Sequence, residues 1–188
     1  MGTGQEMVVV VDAGDREIGR ATRAEMRRQR LIHRAAYVLV FNRHGELFVQ
    51  QRTMTKDVYP GHYDVAAGGV VLAGESYEEA AARELAEELG IAPALRRLFD
   101  NFHEDRRNRV WGRVFTCVAD GPFTLQEEEV AAGFFLPLAE VLALSRTAPF
   151  TPDGLVILER FLAGRTESGR GGHRPPCCEA VDKARTGK

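Results

Sequence analysis

Short β-branched runs alternate with polar, charged stretches along this chain, and the pattern predicts an order of elements. Residues 7–12, MVVVVD, read as a first strand, 13–15 as a turn, and 17–20 as the start of a return strand. Residues 22–30 are polar and basic, with Thr22 placed as an N-cap and Glu25 at the third helical position, so a short helix is expected. A long strand follows at 33–41, a hairpin turn at 43–45 and a second strand at 46–52. Residues 53–62 form a loop around Tyr59, Pro60 and Gly61. The apolar run 63–71 is a strand interrupted at Gly68 and Gly69, where missing side chains let the backbone bulge or approach a ligand.

A loop at 72–74 then leads into the best-defined element. Ser76 and Glu79 have capping-box spacing, Ala80, Ala81, Leu85 and Leu89 form an apolar stripe, and Gly90 supplies the stop. Further strands are expected at 94–103, 110–119 and 130–136. A helix with proline at its start covers 137–145, and a last helix covers 153–163. From Gly164 onward Gly, Arg, Pro and Ser dominate and periodicity stops, so 164–188 reads as a flexible tail. The expected class is α+β, an α/β/α sandwich with a mixed central sheet. Its parts are an N-terminal extension at 1–30 packed on the core, a main domain at 31–163, and the tail.

Bulk properties narrow the function classes. A chain of 188 residues with 44% hydrophobic content can bury one core. A net charge of −2 gives no basic field to draw a nucleic acid polymer. No apolar run reaches the roughly 18 residues that span a bilayer, and the N-terminus lacks the basic region of a signal peptide. Three cysteines without framework spacing argue against a disulfide scaffold, and Cys117 in an apolar run reads as a core thiol. A cytoplasmic location is expected, and a homodimer is left open.

The candidate chemistry lies in the helix after the loop. Glu84, Glu87 and Glu88 stand at i, i+3 and i+4, on one helical face. Three carboxylates there repel, and a divalent cation reverses that sign. Hard oxygen ligands suit Mg2+ or Mn2+ better than Zn2+. The helix and its lead-in, GVVLAGESYEEAAARELAEELGI from Gly69 to Ile91, resemble the Nudix hydrolase signature. That signature is Gly, five residues, Glu, seven residues, then Arg-Glu-aliphatic-x-Glu-Glu-x-Gly-aliphatic. Gly69, Glu75, Arg83, Glu84, Leu85, Glu87, Glu88, Gly90 and Ile91 fill every defined position. Seven fixed identities arise by chance at a rate on the order of 10⁻⁸ per window.

The resemblance implies hydrolysis of a diphosphate bond in a nucleoside diphosphate derivative or related small molecule. It implies Glu84, Glu87, Glu88 and the Gly68 carbonyl as metal ligands, with Gly69, Glu75 and Arg83 supporting them. A general base is also needed, and Glu87, Glu88 and Glu129 are its candidates; a carboxylate firmly bound to metal is the poorer base. Arg52, Lys56 and Tyr59 are weaker candidates for holding substrate, since a strand-end cation can bind phosphate and the loop at 53–62 can cover it. Trp111 and Phe102 could stack on a base, although core packing is the commoner role of such residues.

The stretch from Val9 to Gly90 also looks like the branch of this family that contains isopentenyl-diphosphate isomerase. Shared-looking pieces include Val11-Asp12, Glu17-Ile18-Gly19, Leu31-Ile32-His33-Arg34-Ala35 and Pro60-Gly61. Where the isomerases carry a cysteine and a histidine for proton transfer, this chain has Gly68 and Val70. Where they carry later glutamates, it has Asn108 and Val110. Of their metal histidines only His33 has a match, with Met26 at another position. Glycine and valine cannot exchange protons, so the expectation is a hydrolase. Isomerase-like activity and a non-catalytic nucleotide-binding module are the alternatives.

Overall fold

The structure, a computed structural model, describes residues 3–170. Its chain divides into two compact units. Among the described residues, the first runs to Val38 and resumes over Ala67–Thr116, and the second is Leu39–Ala66 with the chain from Cys117 to Arg170.

The first unit opens with a 3-10 turn at Thr3–Gln5 and the antiparallel hairpin β1 (Met7–Val11) and β2 (Glu17–Thr22). Helix α1 (Arg23–Gln29) follows at once. Thr22 caps it by accepting the Glu25 amide at 3.2 Å, and Arg30, left-handed at φ 51°, ends it. Val8 and Met26 pack with Val70, with Leu31 and Leu72 against them. Strand β3 (His33–Phe41) pairs with the later strand Ala67–Val70 from Ala35↔Val70 to Val38↔Ala67. The hairpin Arg96–Glu104 with Arg109–Val118 completes the unit's strands.

In the second unit β4 (Leu47–Arg52) pairs with the short β5 (Tyr63–Asp64) and along its length with the strand Val130–Leu136. Aromatic rings fill this core. Phe48 meets Phe123 at 4.9 Å and Phe135 at 5.3 Å, and Phe41 meets Phe161 at 5.4 Å. Gly133 makes room for Phe48, whose ring atom Cε2 would lie 2.9 Å from a β-carbon there. Cys117 is buried, and burial pushes its thiol up to about 12.

In chain order the remaining elements are β6 (Ala67–Val70), α2 (Tyr77–Leu89), β7 (Arg96–Glu104), β8 (Arg109–Val118), β9 (Val130–Leu136), α3 (Leu138–Leu144) and α4 (Pro152–Arg170). Two boundaries differ from expectation. The strand read over 63–71 is two strands, and its break falls at Val65 and Ala66 rather than at the glycines. The chain changes partner there, from β4 to β3. The glycines stay in strand because both pair with β3, Gly68 with Tyr37 and Gly69 with Ala36. The last helix was expected to end at Ala163, but α4 continues through Gly164 to Arg170. Glycine inside a helix costs only about 1 kcal/mol against alanine, so Gly164 weakens the helix without stopping it. The rest of the expected tail, 171–188, lies outside the described residues.

Candidate active site

Helix α2 carries the three glutamates, and its start is strongly specified. The Glu79 amide donates to Ser76 Oγ at 3.2 Å, and the Ser76 amide donates to Glu79 Oε2 at 2.8 Å. These bonds from Ser76 hold the Glu79 carboxyl below its usual range. Gly90, at φ 69°, closes the other end. The apolar stripe Ala80, Ala81, Leu85 and Leu89 is fully buried. Glu84 and Glu88, one turn apart, go inward with it at 8% and 2% exposure, whereas the Glu87 side chain is 50% exposed. The expected single acidic face is therefore split between two buried carboxylates and an open one.

A cation already lies among them. Arg83 Nε and Nη2 donate to Glu75 at 2.8 and 3.1 Å, and Nη2 also reaches the Val70 carbonyl at 3.2 Å. Nη1 donates to Glu84 at 2.8 Å and to Glu87 at 3.0 Å. All five guanidinium hydrogens are thereby engaged. Glu75 in turn accepts the Leu72 amide at 3.0 Å, which fixes the loop before the helix. The carboxylate partners raise the basicity of Arg83 further. The repulsion expected among the glutamates is thus offset from within the chain.

The two glycines of β6 bring this helix close. A β-carbon on Gly69 would lie 2.6 Å from Glu84 Cδ. At Gly68 the backbone has φ 151°, and a β-carbon would lie 3.0 Å from the Ala36 carbonyl carbon and 3.1 Å from Tyr37 Cα. The Gly68 amide donates to Glu88 Oε2 at 3.1 Å. The donor set, carboxylates and a strand carbonyl, has the hardness that Mg2+ or Mn2+ requires, and the bare Gly69 leaves room for Glu84. In the present geometry no three His, Cys, Asp or Glu side chains among the described residues converge around one point. Glu84 and Glu87 turn to Arg83 instead.

The positions where isomerase chemistry would reside are closed. Gly68 has no space for a cysteine side chain, and Val70 is buried in the cluster with Val8 and Met26. Val110 is buried, and Asn108 accepts from Arg27 Nη1 at 3.0 Å. His33 is 1% exposed with Nδ1 3.2 Å from the Leu31 carbonyl oxygen. Burial, reinforced by the Arg27 charge, lowers its pKa to about 3, so the ring is neutral.

Residues 31–158 match the NUDIX domain family. The chain belongs to the Nudix hydrolases. It is 46% identical over 158 residues to an uncharacterized Nudix hydrolase of Pseudomonas aeruginosa, a match covering 84% of this chain and 94% of that one. It is also 46% identical over 158 residues to the uncharacterized Nudix hydrolase YfcD of Escherichia coli K12, covering 84% and 87%. Among solved structures it resembles a crystal structure from Deinococcus radiodurans with a TM-score of 0.73 and 25% identity, covering 82% and 98%. The NUDIX domain of Shewanella oneidensis NrtR, solved with ADP ribose, shares the fold at a TM-score of 0.58 and 22% identity, covering 76% and 98%. The α+β sandwich with a mixed sheet is the fold of this Nudix hydrolase, and the family cleaves diphosphate bonds, generally with divalent metal ions.

The candidates Arg52, Lys56, Tyr59 and Glu129 of this Nudix hydrolase lie in its second unit. Arg52 donates from Nε and Nη2 to the Val58 carbonyl at 3.2 and 2.9 Å, and its Nη1 is 4.0 Å from Asp64. Lys56 is ion-paired with Glu129. The loop holding Lys56 is tied to the same segment, since the Thr53 amide donates to the Glu129 carbonyl at 3.1 Å and its hydroxyl to the Glu128 carbonyl at 2.9 Å. Tyr59 is left-handed at φ 51°, with its ring centroid 5.6 Å from that of His62. In the first unit Phe102 and Trp111 form a pair at 5.3 Å on the β7–β8 hairpin, and Phe102 is 37% exposed rather than in the core.

Two features escaped the sequence reading. Asp64 is buried in β5, where burial and then Asp153 push its carboxyl up to about 7. Its signal was a lone aspartate inside an apolar run. Asp15 and Tyr77 meet across 62 positions, and no local pattern announces such a pair.

Proposed function

We propose that this chain is a metal-dependent hydrolase acting on a diphosphate bond in a nucleoside diphosphate derivative or related small molecule. The observation that carries the reading is the Arg83 hub, which gathers Glu75, Glu84 and Glu87 beside the loop that Glu75 fixes through the Leu72 amide. Mg2+ or Mn2+ is the fitting ion, with Glu84, Glu87, Glu88 and the Gly68 carbonyl as its ligands. When bound, the ion supplies charge neutralisation on the diphosphate and a lowered water pKa. The protein's own part is positioning, which dominates phosphoryl and nucleotidyl transfer. Gly69, Glu75 and Arg83 hold the loop and orient the glutamates. Glu87, the exposed carboxylate, is the first candidate for the base, with Glu88 and Glu129 behind it. Arg52, Lys56 and Tyr59 are the weaker candidates for holding substrate; Arg52 donates to a main-chain carbonyl and Lys56 is paired with Glu129. Residues 31–163 form the hydrolase domain in this reading. The 1–30 segment is packed on it through Val8 and Met26, and the location is cytoplasmic.

The test is product release from a panel of nucleoside diphosphate derivatives, with Mg2+, with Mn2+ and in excess EDTA. Activity on at least one compound that EDTA abolishes supports the proposal. A chain inactive on the whole panel, or equally active in EDTA, would sink it.

A further inference from the structure

The N-terminal hairpin touches the signature loop and helix at two places. First, β1 extends onto the loop: the Ala73 amide donates to the Met7 carbonyl at 2.8 Å, and Val8 bridges Leu72 in antiparallel fashion. Leu72 and Glu75 then bond to each other, the Glu75 amide reaching the Leu72 carbonyl at 3.1 Å. Second, the hairpin turn grips the first residue of α2. The Tyr77 hydroxyl donates between the two oxygens of Asp15, at 3.1 and 3.2 Å, and its ring lies near the guanidiniums of Arg34 at 5.4 Å and Arg113 at 4.4 Å.

Each partner is itself held. Asp15 is a non-glycine residue at φ 60°, a conformation aspartate tolerates better than most. Arg34 Nε donates to Asp15 Oδ1 at 2.7 Å and Arg34 Nη2 to its carbonyl at 2.6 Å. Asp12 stiffens the turn by accepting the Gly14 and Arg16 amides at 2.8 and 3.0 Å. The Arg34 carbonyl also accepts the Val71 amide at 3.0 Å, tying the same residue to the chain just before the loop. Tyr77 is 7% exposed, and burial, then Asp15, raises its pKa, so the phenol is the proton donor.

We propose, resting on the hydrolase reading above, that Asp15 is a positioning residue for the catalytic loop and helix, acting through Tyr77. The hairpin is then a working part of the hydrolase although it precedes the matched domain at 31–158. From Tyr77 to Glu84 the helix rises about 10 Å as one rigid rod. Loss of the grip tilts α2 and shifts the glutamates against Gly68 and Gly69. A displacement near 1 Å suffices for a loss on the order of 10²-fold in rate.

The test uses the full chain with Asp15→Asn, Tyr77→Phe and the double variant. Phenylalanine keeps the ring near both arginines, and asparagine keeps the left-handed turn, so all three should fold. The readouts are kcat, KM, the Mg2+ concentration for half-maximal rate, and Tm with and without Mg2+. Expected are kcat losses of about 10- to 100-fold with KM changed less than about threefold. The half-maximal Mg2+ concentration should rise several-fold, and the double variant should lose no more than the worse single one. A fall in Tm with kcat and the Mg2+ requirement unmoved, or additive losses, would overturn the proposal. An inactive wild-type chain would overturn the hydrolase reading instead. The Mg2+-induced rise in Tm would then still test the positioning, because it should shrink in Tyr77→Phe and would overturn the proposal by staying the same.

Discussion

Gly69 faces Glu84 so closely that a β-carbon there would lie 2.6 Å from the carboxyl carbon, whereas at Gly68 the same atom would strike backbone. Adjacent glycines are thus required for different reasons. Gly69→Ala meets only the far end of a flexible side chain, so Glu84 should swing aside at a cost of about 1 kcal/mol. Hydrolysis should fall at least about tenfold, because the displaced group is a proposed ligand. Gly68→Ala must move Ala36 or abandon φ 151°, and should cost about 3 kcal/mol or more. Melting curves and rate assays on the two variants check the contrast; equal melting temperatures would contradict it.

Arg83 with its five hydrogen bonds leads to a second expectation. Arg83→Gln leaves Glu75 and Glu84 without their cation. The site is only partly buried, with the Arg83 side chain 26% exposed, so about 1–3 kcal/mol should be lost rather than the full cost of a buried ion pair. The freed carboxylates should bind divalent metal more readily. The Mg2+-induced gain in Tm should therefore be larger in this variant than in the wild type. A smaller gain would show that Arg83 and the metal do not share ligands.

Glu87→Gln and Glu88→Gln should each reduce Mg2+-dependent hydrolysis by about 10²-fold or more, as loss of a metal ligand or base requires. Their stabilities should diverge. Glu87 is half exposed, so its loss of one ion pair with Arg83 should leave Tm near level. Glu88 is buried and accepts the Gly68 amide, so its variant should melt a few degrees lower without metal. Full activity of both variants in EDTA would refute the ligand assignment.

Asp64 gives a pH dependence whose sign is fixed. Its folded pKa, about 7, lies above the ordinary 3.8, through burial and then Asp153. Folding therefore takes up a proton between these values, and the associated stability is complete below about pH 4 and lost as pH rises through 7. Asp64→Asn should remove that dependence. Its unfolding free energy should gain on the wild type between pH 5 and pH 8, with the difference growing by about 1 kcal/mol or more. A constant difference across that range would mean that Asp64 ionises normally.

Incubation with isopentenyl diphosphate and Mg2+ should yield no dimethylallyl diphosphate. Gly68, Val70 and Val110 offer no proton, and His33 is buried and neutral. Rapid conversion would mean that another pair of groups does the proton transfer.

Local rules explain what could be read in advance. The capping box of Ser76 and Glu79, the stripe through Leu85 and Leu89, and the Thr22 cap depend on neighbours within one helical turn, and the structure contains them all. The Nudix family and its fold were legible in the fixed spacing from Gly69 to Ile91. The break at Val65 and Ala66 was not, because it marks a change of partner strand rather than a weak residue. The extension of α4 past Gly164 was hidden by composition. Exposure was harder still: helical spacing placed Glu84, Glu87 and Glu88 together, but only packing separates the buried pair from the open one. Ion pairs such as Lys56 with Glu129 join residues 73 positions apart and leave no periodic trace.

The bond from Ala73 to Met7 also bears on how the chain is made. Residues 8–11 are four consecutive valines, 8% exposed or less in the finished protein. They leave the ribosome long before Leu72 and Ala73 exist to cover their end. Until then this β-prone segment has β2, helix α1 and the start of β3 beside it, but its end at Met7 and Val8 stays open to pairing with other chains. Translation that stalls between these two points should therefore leave an aggregating fragment, while release after β6 and the loop are complete should not.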